Sequence, residues 1–430
     1  MSLLLSVCRR LVLSAIFVAF PVLIFGQTSI VPQGNESSLI GPAVGDQVYQ
    51  SISLNQNGGY VVWEENGSLK TGLEIRASRL NSSLTRVSTF TVNKVPKGDQ
   101  RFPQVQLLSN GDALFVWQGY GLANADIYAR VLKNDGSFAA GDVRVNSDPK
   151  AKDSYSKDQQ SEPVVSALHN GGALVAWQSF GQDGHKFGIY ARRLSSSGQV
   201  VSNEFLVNQT TSYSQRSPAV ATLANGNVIV AWISEFERFG NPYQTEDLSP
   251  FSIDVYGRLF DPLGNPLSDE ILLNSGNNMC ANPSIAGLSG GGFTIVWSEK
   301  DAQSRSNSWE IMGRSFSAEG VATGGDFKIN TNTYGDQYRP KIAAVGNDCA
   351  VIWTSLGQDG SREGVFGRFL QGGGQPSGDE FRVNNRTVSR QIYPAIASNG
   401  TDRFLVGWSS FVEINGFDLF GRKYVLNQQQ

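Results

Sequence analysis

The stretch SFGQDGHKFGIYARRL runs from Ser179 to Leu194, and SLGQDGSREGVFGRFL runs from Ser355 to Leu370. The two share one frame 176 positions apart, and self-similarity of this kind marks a repeat architecture. Working outward from them, a tryptophan closes an apolar run at Trp63, Trp117, Trp177, Trp232, Trp297, Trp353 and Trp408, at spacings of 54, 60, 55, 65, 56 and 55. Thirteen or fourteen residues before each stands Pro103, Pro163, Pro218, Pro283, Pro340 or Pro394, with Gln50 in that place in the first unit. Arginine follows at Arg79, Arg130, Arg192, Arg258, Arg314, Arg368 and Arg422, and a strand ending in asparagine recurs at Asn93, Asn146, Asn208, Asn274, Asn330 and Asn384. The chain therefore reads as seven units, at about 47–93, 100–146, 160–208, 215–274, 280–330, 337–384 and 391–427.

Each unit parses into four strands separated by turn residues. In the third, Pro163–Leu168, Ala173–Trp177, Ile189–Leu194 and Glu204–Asn208 are divided by HNGG, SFGQDGHKFG and SSSGQ. Second strands such as ALVAW and FTIVW are nearly continuous apolar runs, as expected for strands covered on both faces. Fourth strands such as FRVN and FKIN alternate, as expected near a wet edge. One such sheet cannot bury both faces alone, so its neighbours must stack on it. The expected fold is all-β: a seven-bladed β-propeller of four-stranded antiparallel blades. The seventh unit ends soon after Arg422 and lacks a fourth strand, whereas Leu39 and Ile40 precede Gln47 much as Val383 and Asn384 precede Gln391. An N-terminal strand is therefore expected to complete the last blade and close the ring, leaving no unpaired edge. Tandem β-sandwich modules, the competing architecture, would leave every unit complete in itself.

Composition agrees. The 430 residues are 40% hydrophobic and 17% charged with 47 glycines, which favours short strands and tight turns over helices. Arg9 and Arg10 precede an apolar run from Leu11 to Phe25 that is too short to span a bilayer, so residues 1–26 read as a signal peptide and 27–430 as one exported domain. No second such segment follows, and no stable membrane insertion is expected after cleavage. Removal of residues 1–26 takes two basic residues and no acidic ones, which leaves a net charge of about −5 and no basic surplus for nucleic acid. Cys280 and Cys349 fall at non-equivalent places in the repeat, so a disulfide framework is not expected.

The combined P-x-V-x-x-L, G-G-x-x-V-x-W-x-S, Q-D-G-x-x-x-G-I-Y-A-R and E-F-x-V-N segments resemble a repeat of secreted and surface-associated bacterial β-propeller-type proteins, adhesin-like chains among them. The likeness covers residues 47–426, and the first unit departs most from it. It implies an extracellular or periplasmic repeat module, secreted or held at the cell surface, and carries over no catalytic residues.

A residue that recurs in every unit is explained by what every unit needs: tryptophan fills the wedge between sheets, and arginine satisfies groups between them. Departures from the repeat are more telling. SDPKAKDSYSKDQQ lengthens the connection into the third unit, EFERFGNPYQTEDLSPFS lengthens the turn after Trp232, and AQSRSNSW extends the fifth unit. All three leave one face of a propeller, and long loops on a rigid scaffold are where recognition resides. Tyr155, Lys157, Phe236, Arg238, Tyr243 and Trp309 are the candidate ligand contacts, because aromatics and arginine dominate binding hot spots.

Asp183 and Asp359 are candidate metal ligands, since carboxylates in glycine-rich loops can hold calcium. Asp-Gly is also a favoured hairpin turn, and that reading needs no ion or other cofactor. With only two histidines, His169 and His185, a histidine-based centre has little material. GLSGG at Gly287–Gly291 matches G-x-S-x-G but sits between two strands rather than on a strand-to-helix elbow. The expected task is non-catalytic recognition of an extracellular glycan or protein by a monomer. The alternatives are a structural module of an envelope or adhesive assembly, or a carbohydrate-active hydrolase or lyase using carboxylates in the central channel.

Overall fold

The structure is a computed structural model and describes residues 28–41, 43–66, 72–120, 125–147, 159–235, 253–301, 308–413 and 415–428. These residues are all β, with no helix among them, in four-stranded antiparallel sheets arranged as in a β-propeller. The third unit is representative: Gln160–Ala167, Ala173–Phe180, Phe187–Leu194 and Phe205–Leu206 pair in sequence order. Units four and five are joined into one sheet by a single parallel bridge, Ile253 to Met279. In the last unit Gln391–Ser398, Arg403–Val412 and Gly416–Gln428 are followed in the sheet by Thr28–Ser38, which runs antiparallel to Gly416–Gln428. Each first strand lies against the first strand of the next unit, and Gln391–Ser398 lies against Gln47–Asn55.

The core sits between units. Seven apolar clusters each combine residues of two neighbours, and every one holds one of the seven tryptophans. All seven indoles are at most 1% exposed. A buried indole needs a partner for its N–H. Gln100, Gln160 and Gln337, three residues before their prolines, accept from Trp117, Trp177 and Trp353 at 2.9, 2.8 and 3.0 Å. Cys280 takes that place in unit five, and Trp297 turns to Glu299 at 2.9 Å instead.

Five of the seven repeated arginines bridge units as expected. Arg192 Nη1 donates to the Val145 carbonyl of the preceding unit at 2.8 Å, and Arg130, Arg258, Arg368 and Arg422 repeat the contact on Val92, Val207, Ile329 and Val383. The asparagines end the fourth strands by accepting a third-strand N–H: Asn208 takes Ile189 at 2.7 Å and Asn384 takes Val365 at 2.8 Å. No helix of the described residues is long and apolar enough to cross a membrane.

Candidate functional site

Every first strand loses register at one place, between Ser161 and Val164 in unit three and at the matching positions elsewhere. The residue at this bulge stands immediately before the repeat proline, or before Gln50 in unit one. There Tyr49, Phe102, Glu162, Ser217, Asn282, Arg339 and Tyr393 all adopt φ between 50° and 55°. Left-handed backbone is costly for non-glycine residues, by about 1–3 kcal/mol each, and it gathers where function demands it. Bulges serve the same end by re-aiming a side chain.

The seven residues do converge. Together with Gln50, the adjoining prolines of units three to seven, Gln104, Val164, Arg216 and Lys341 they line a cavity of about 300 Å³ at the starting end of the first strands. In chain order they read Tyr, Phe, Glu, Ser, Asn, Arg, Tyr, so the backbone is the same in all units and the chemistry is not. Three of the seven bulge amides are held from the preceding unit by the residue after its tryptophan. Phe102 N–H donates to Glu64 Oε1 at 2.6 Å, Ser217 N–H to Gln178 Oε1 at 2.9 Å, and Arg339 N–H to Ser298 Oγ at 3.1 Å.

One arc of the wall is aromatic. The Tyr49 ring packs on Phe102 at 4.9 Å and on Tyr393 at 4.2 Å, and the Tyr49 and Tyr393 hydroxyls are 3.2 Å apart. Burial and the bond to Tyr393 push the Tyr49 phenol up to about 12, so it holds its proton. Arg339 and Glu162 flank this arc. The Arg339 guanidinium lies 4.6 Å from the Tyr393 ring centroid. Burial raises the Glu162 carboxyl above the ordinary glutamate range, while Arg216, the Ser217 hydroxyl at 3.4 Å, Arg339 and Lys341 pull it back. Arg216 is already committed, with Nη2 2.6 Å from Glu235. The Lys341 side chain meets solvent in the depression, yet the surrounding strands, followed by Arg339, lower its ammonium below the ordinary value.

Such a site can stack an apolar ring face on the aromatic arc, bind an anion at Arg339 and Lys341, and move a proton through Glu162. Among the described lining residues Glu162 is the one carboxylate, so the two carboxyl groups usual for glycoside hydrolysis are not both found there.

The candidates from sequence fall elsewhere. Tyr155, Lys157, Phe236, Arg238 and Tyr243 lie outside the described residues. Trp309 is half-buried beside the third strand of unit five, its backbone N–H donates to Asp336 Oδ1 at 3.1 Å, and it does not line the cavity. The lengthened segments do leave from the end where the cavity opens, since Ser214 pairs with Glu235 and Gln160 with Ser179.

Asp183 and Asp359 close their own turns. Asp183 Oδ1 accepts His185 N–H at 3.0 Å, and Asp359 takes Ser361 N–H at 3.1 Å and Asn384 Nδ2 at 3.0 Å. In units two and four Asn146 and Asn274 bond instead to Asp126 and Asp254 on the third strand. The matching third-strand residues Gly188 and Gly364 clear the way for the turn aspartates, because a Cβ there would stand 2.6 and 2.7 Å from an aspartate oxygen. Among the described residues no three His, Cys, Asp or Glu side chains gather as metal ligands would.

What sequence reading missed is the column before the proline. A signal was present: that column changes identity in nearly every unit beside a nearly constant neighbour.

No family model and no curated protein matches the chain. Solved structures do. The chain is similar to an ulvan lyase from a family of polysaccharide lyases, at 12% identity and a TM-score of 0.57 over 93% of this chain and 96% of that one. It is also similar to a protein of unknown function from Dyadobacter fermentans, at 12% identity and 0.51 over 76% and 95%. An alpha-L-arabinofuranosidase from Fusarium graminearum matches at 14% identity and 0.50 over 82% and 98%. At these identities the likeness is one of fold.

Proposed function

We propose that the chain is a closed seven-bladed propeller, exported after loss of residues 1–26, that binds a glycan at the mouth of its central channel and cleaves it. The pairing of Thr28–Ser38 with the C-terminal strand and the cyclic order of the first strands support the ring. One observation carries the functional reading: seven strained residues, identical in backbone and different in chemistry, converge on one cavity. The lyase and the arabinofuranosidase of like fold favour carbohydrate as the substrate class. Glu162 is the proton-transfer group in this reading, and the aromatic arc is the platform for a sugar ring.

A second reading, recognition without cleavage, is favoured by the lengthened segments that leave from the same end. Incubating residues 27–430 with a panel of neutral and acidic polysaccharides separates the two. Cleavage predicts new chain ends from at least one polymer, and a loss of about 100-fold or more in Glu162→Gln with an unchanged melting temperature. Binding without new ends in any polymer supports recognition alone, and neither binding nor cleavage overturns both.

A further inference from the structure

We infer that the glycan is acidic, and that Arg339 and Lys341 hold the carboxylate of a uronic acid residue while Tyr49, Phe102 and Tyr393 carry its ring. The inference rests on the proposed site and deepens it. The chain as a whole is acidic, with a formal net charge of −3. The cavity reverses that balance: among the described lining residues Arg216, Arg339 and Lys341 face it against one carboxylate, Glu162.

The three cations are not equivalent. Arg216 spends its charge on Glu235 at 2.6 Å. Among the described residues neither Arg339 nor Lys341 forms an ion pair. They lie two positions apart on one strand, on either side of the bulge proline, and each lowers the Glu162 carboxyl. Arg339 is oriented by the Tyr393 ring behind it and by Ser298, which fixes its backbone N–H.

A guanidinium set against an aromatic face and backed by an ammonium suits a planar anion beside an apolar ring. A uronate offers both: C–H groups on one face of its ring, and a carboxylate in reach of a bidentate arginine. A neutral sugar would leave both cations without a partner.

The test is calorimetric titration of residues 27–430 with oligosaccharides of galacturonate, glucuronate and mannuronate, each beside its carboxyl-reduced counterpart. At least one acid form is expected to bind about tenfold or more tightly than its reduced form, with an affinity that falls as salt rises. Arg339→Met and Lys341→Met should each shrink that preference and leave affinity for the reduced form within about twofold. Lys341 meets solvent, so its variant stays informative if Arg339→Met fails to fold. Equal affinity for acid and reduced forms, or a preference that survives in folded variants, overturns the inference. Cleavage of a neutral polymer with no acid preference overturns it while the proposed function stands. Tight acid binding without any cleavage keeps it and removes the enzymatic reading.

Discussion

Glu64 follows Trp63, and the matching positions in the other units are Gln118, Gln178, Ile233, Ser298, Thr354 and Ser409. Unit one alone puts a carboxylate there, beneath the strained Phe102. Burial pushes that carboxyl up to about 7 from 4.5, with the Phe102 N–H and Arg101 opposing. The folded chain thus holds this proton more tightly than the unfolded chain, so stability falls as pH climbs from about 4.5 to 7 and is level on either side. The loss is at most about 3.5 kcal/mol, because one pKa unit corresponds to about 1.4 kcal/mol. Glutamine keeps the acceptor and removes the charge, as Gln178 does under Ser217 at 2.9 Å. Glu64→Gln is expected to match the parent chain in urea midpoint near about pH 4 and to exceed it near about pH 8. A shift of the same size at both pH values would mean that titration of Glu64 is not the cause.

At the scale of the strand, sequence reading was strong where a chemical need repeats and weak where it does not. Tryptophan, arginine and terminal asparagine each serve one geometry in many units, so their spacing alone set out the strands. The bulge escaped because its cause is a register shift between two strands, which leaves no mark on periodicity within one. Gln50 shows the opposite case, a departure from the repeat that does structural work. It stands where six units have proline, next to Tyr49 at φ 55°, and its Nε2 donates to the Tyr393 carbonyl across the join with the last unit. Its Oε1 accepts from Ser409 Oγ at 3.0 Å, and that hydroxyl is also 2.8 Å from the Gln47 carbonyl. A consensus argument would install proline here. Gln50→Pro is instead expected to destabilise by about 1–3 kcal/mol, because it strands the part-buried Tyr393 carbonyl and removes one of the two acceptors around the buried Ser409 hydroxyl. Urea denaturation reads this as a lower midpoint at constant slope, and a higher midpoint would show that the bonds at the join contribute less than the proline.

For the whole molecule, the complementary deficit at the two chain ends was legible in sequence, but the groups that fasten them were not. Glu36 accepts Asn385 N–H at 2.5 Å and Arg386 N–H at 3.2 Å, as Glu270 accepts Gln209 and Thr210 N–H at 2.6 and 3.0 Å. Arg422 adds a bond to the Gly34 carbonyl at 3.1 Å. Thr28–Ser38 therefore does for the last unit what Gln375–Arg382 does for the sixth, where Glu380 accepts Asn332 N–H at 3.1 Å. Loss of residues 28–40 opens the edge of Gly416–Gln428 and uncovers Trp63 and Leu419, which Leu39, now 6% exposed, packs against. A chain beginning at Gly41 is expected to melt at least about 5 °C lower and to self-associate through the open edge. A synthetic peptide of residues 27–40 should restore both properties by strand addition, and the same peptide with Glu36 and Leu39 replaced by alanine should restore less. Calorimetry and size-exclusion chromatography decide it: a truncated chain that melts like the parent and stays monomeric would mean that the last sheet holds without Thr28–Ser38.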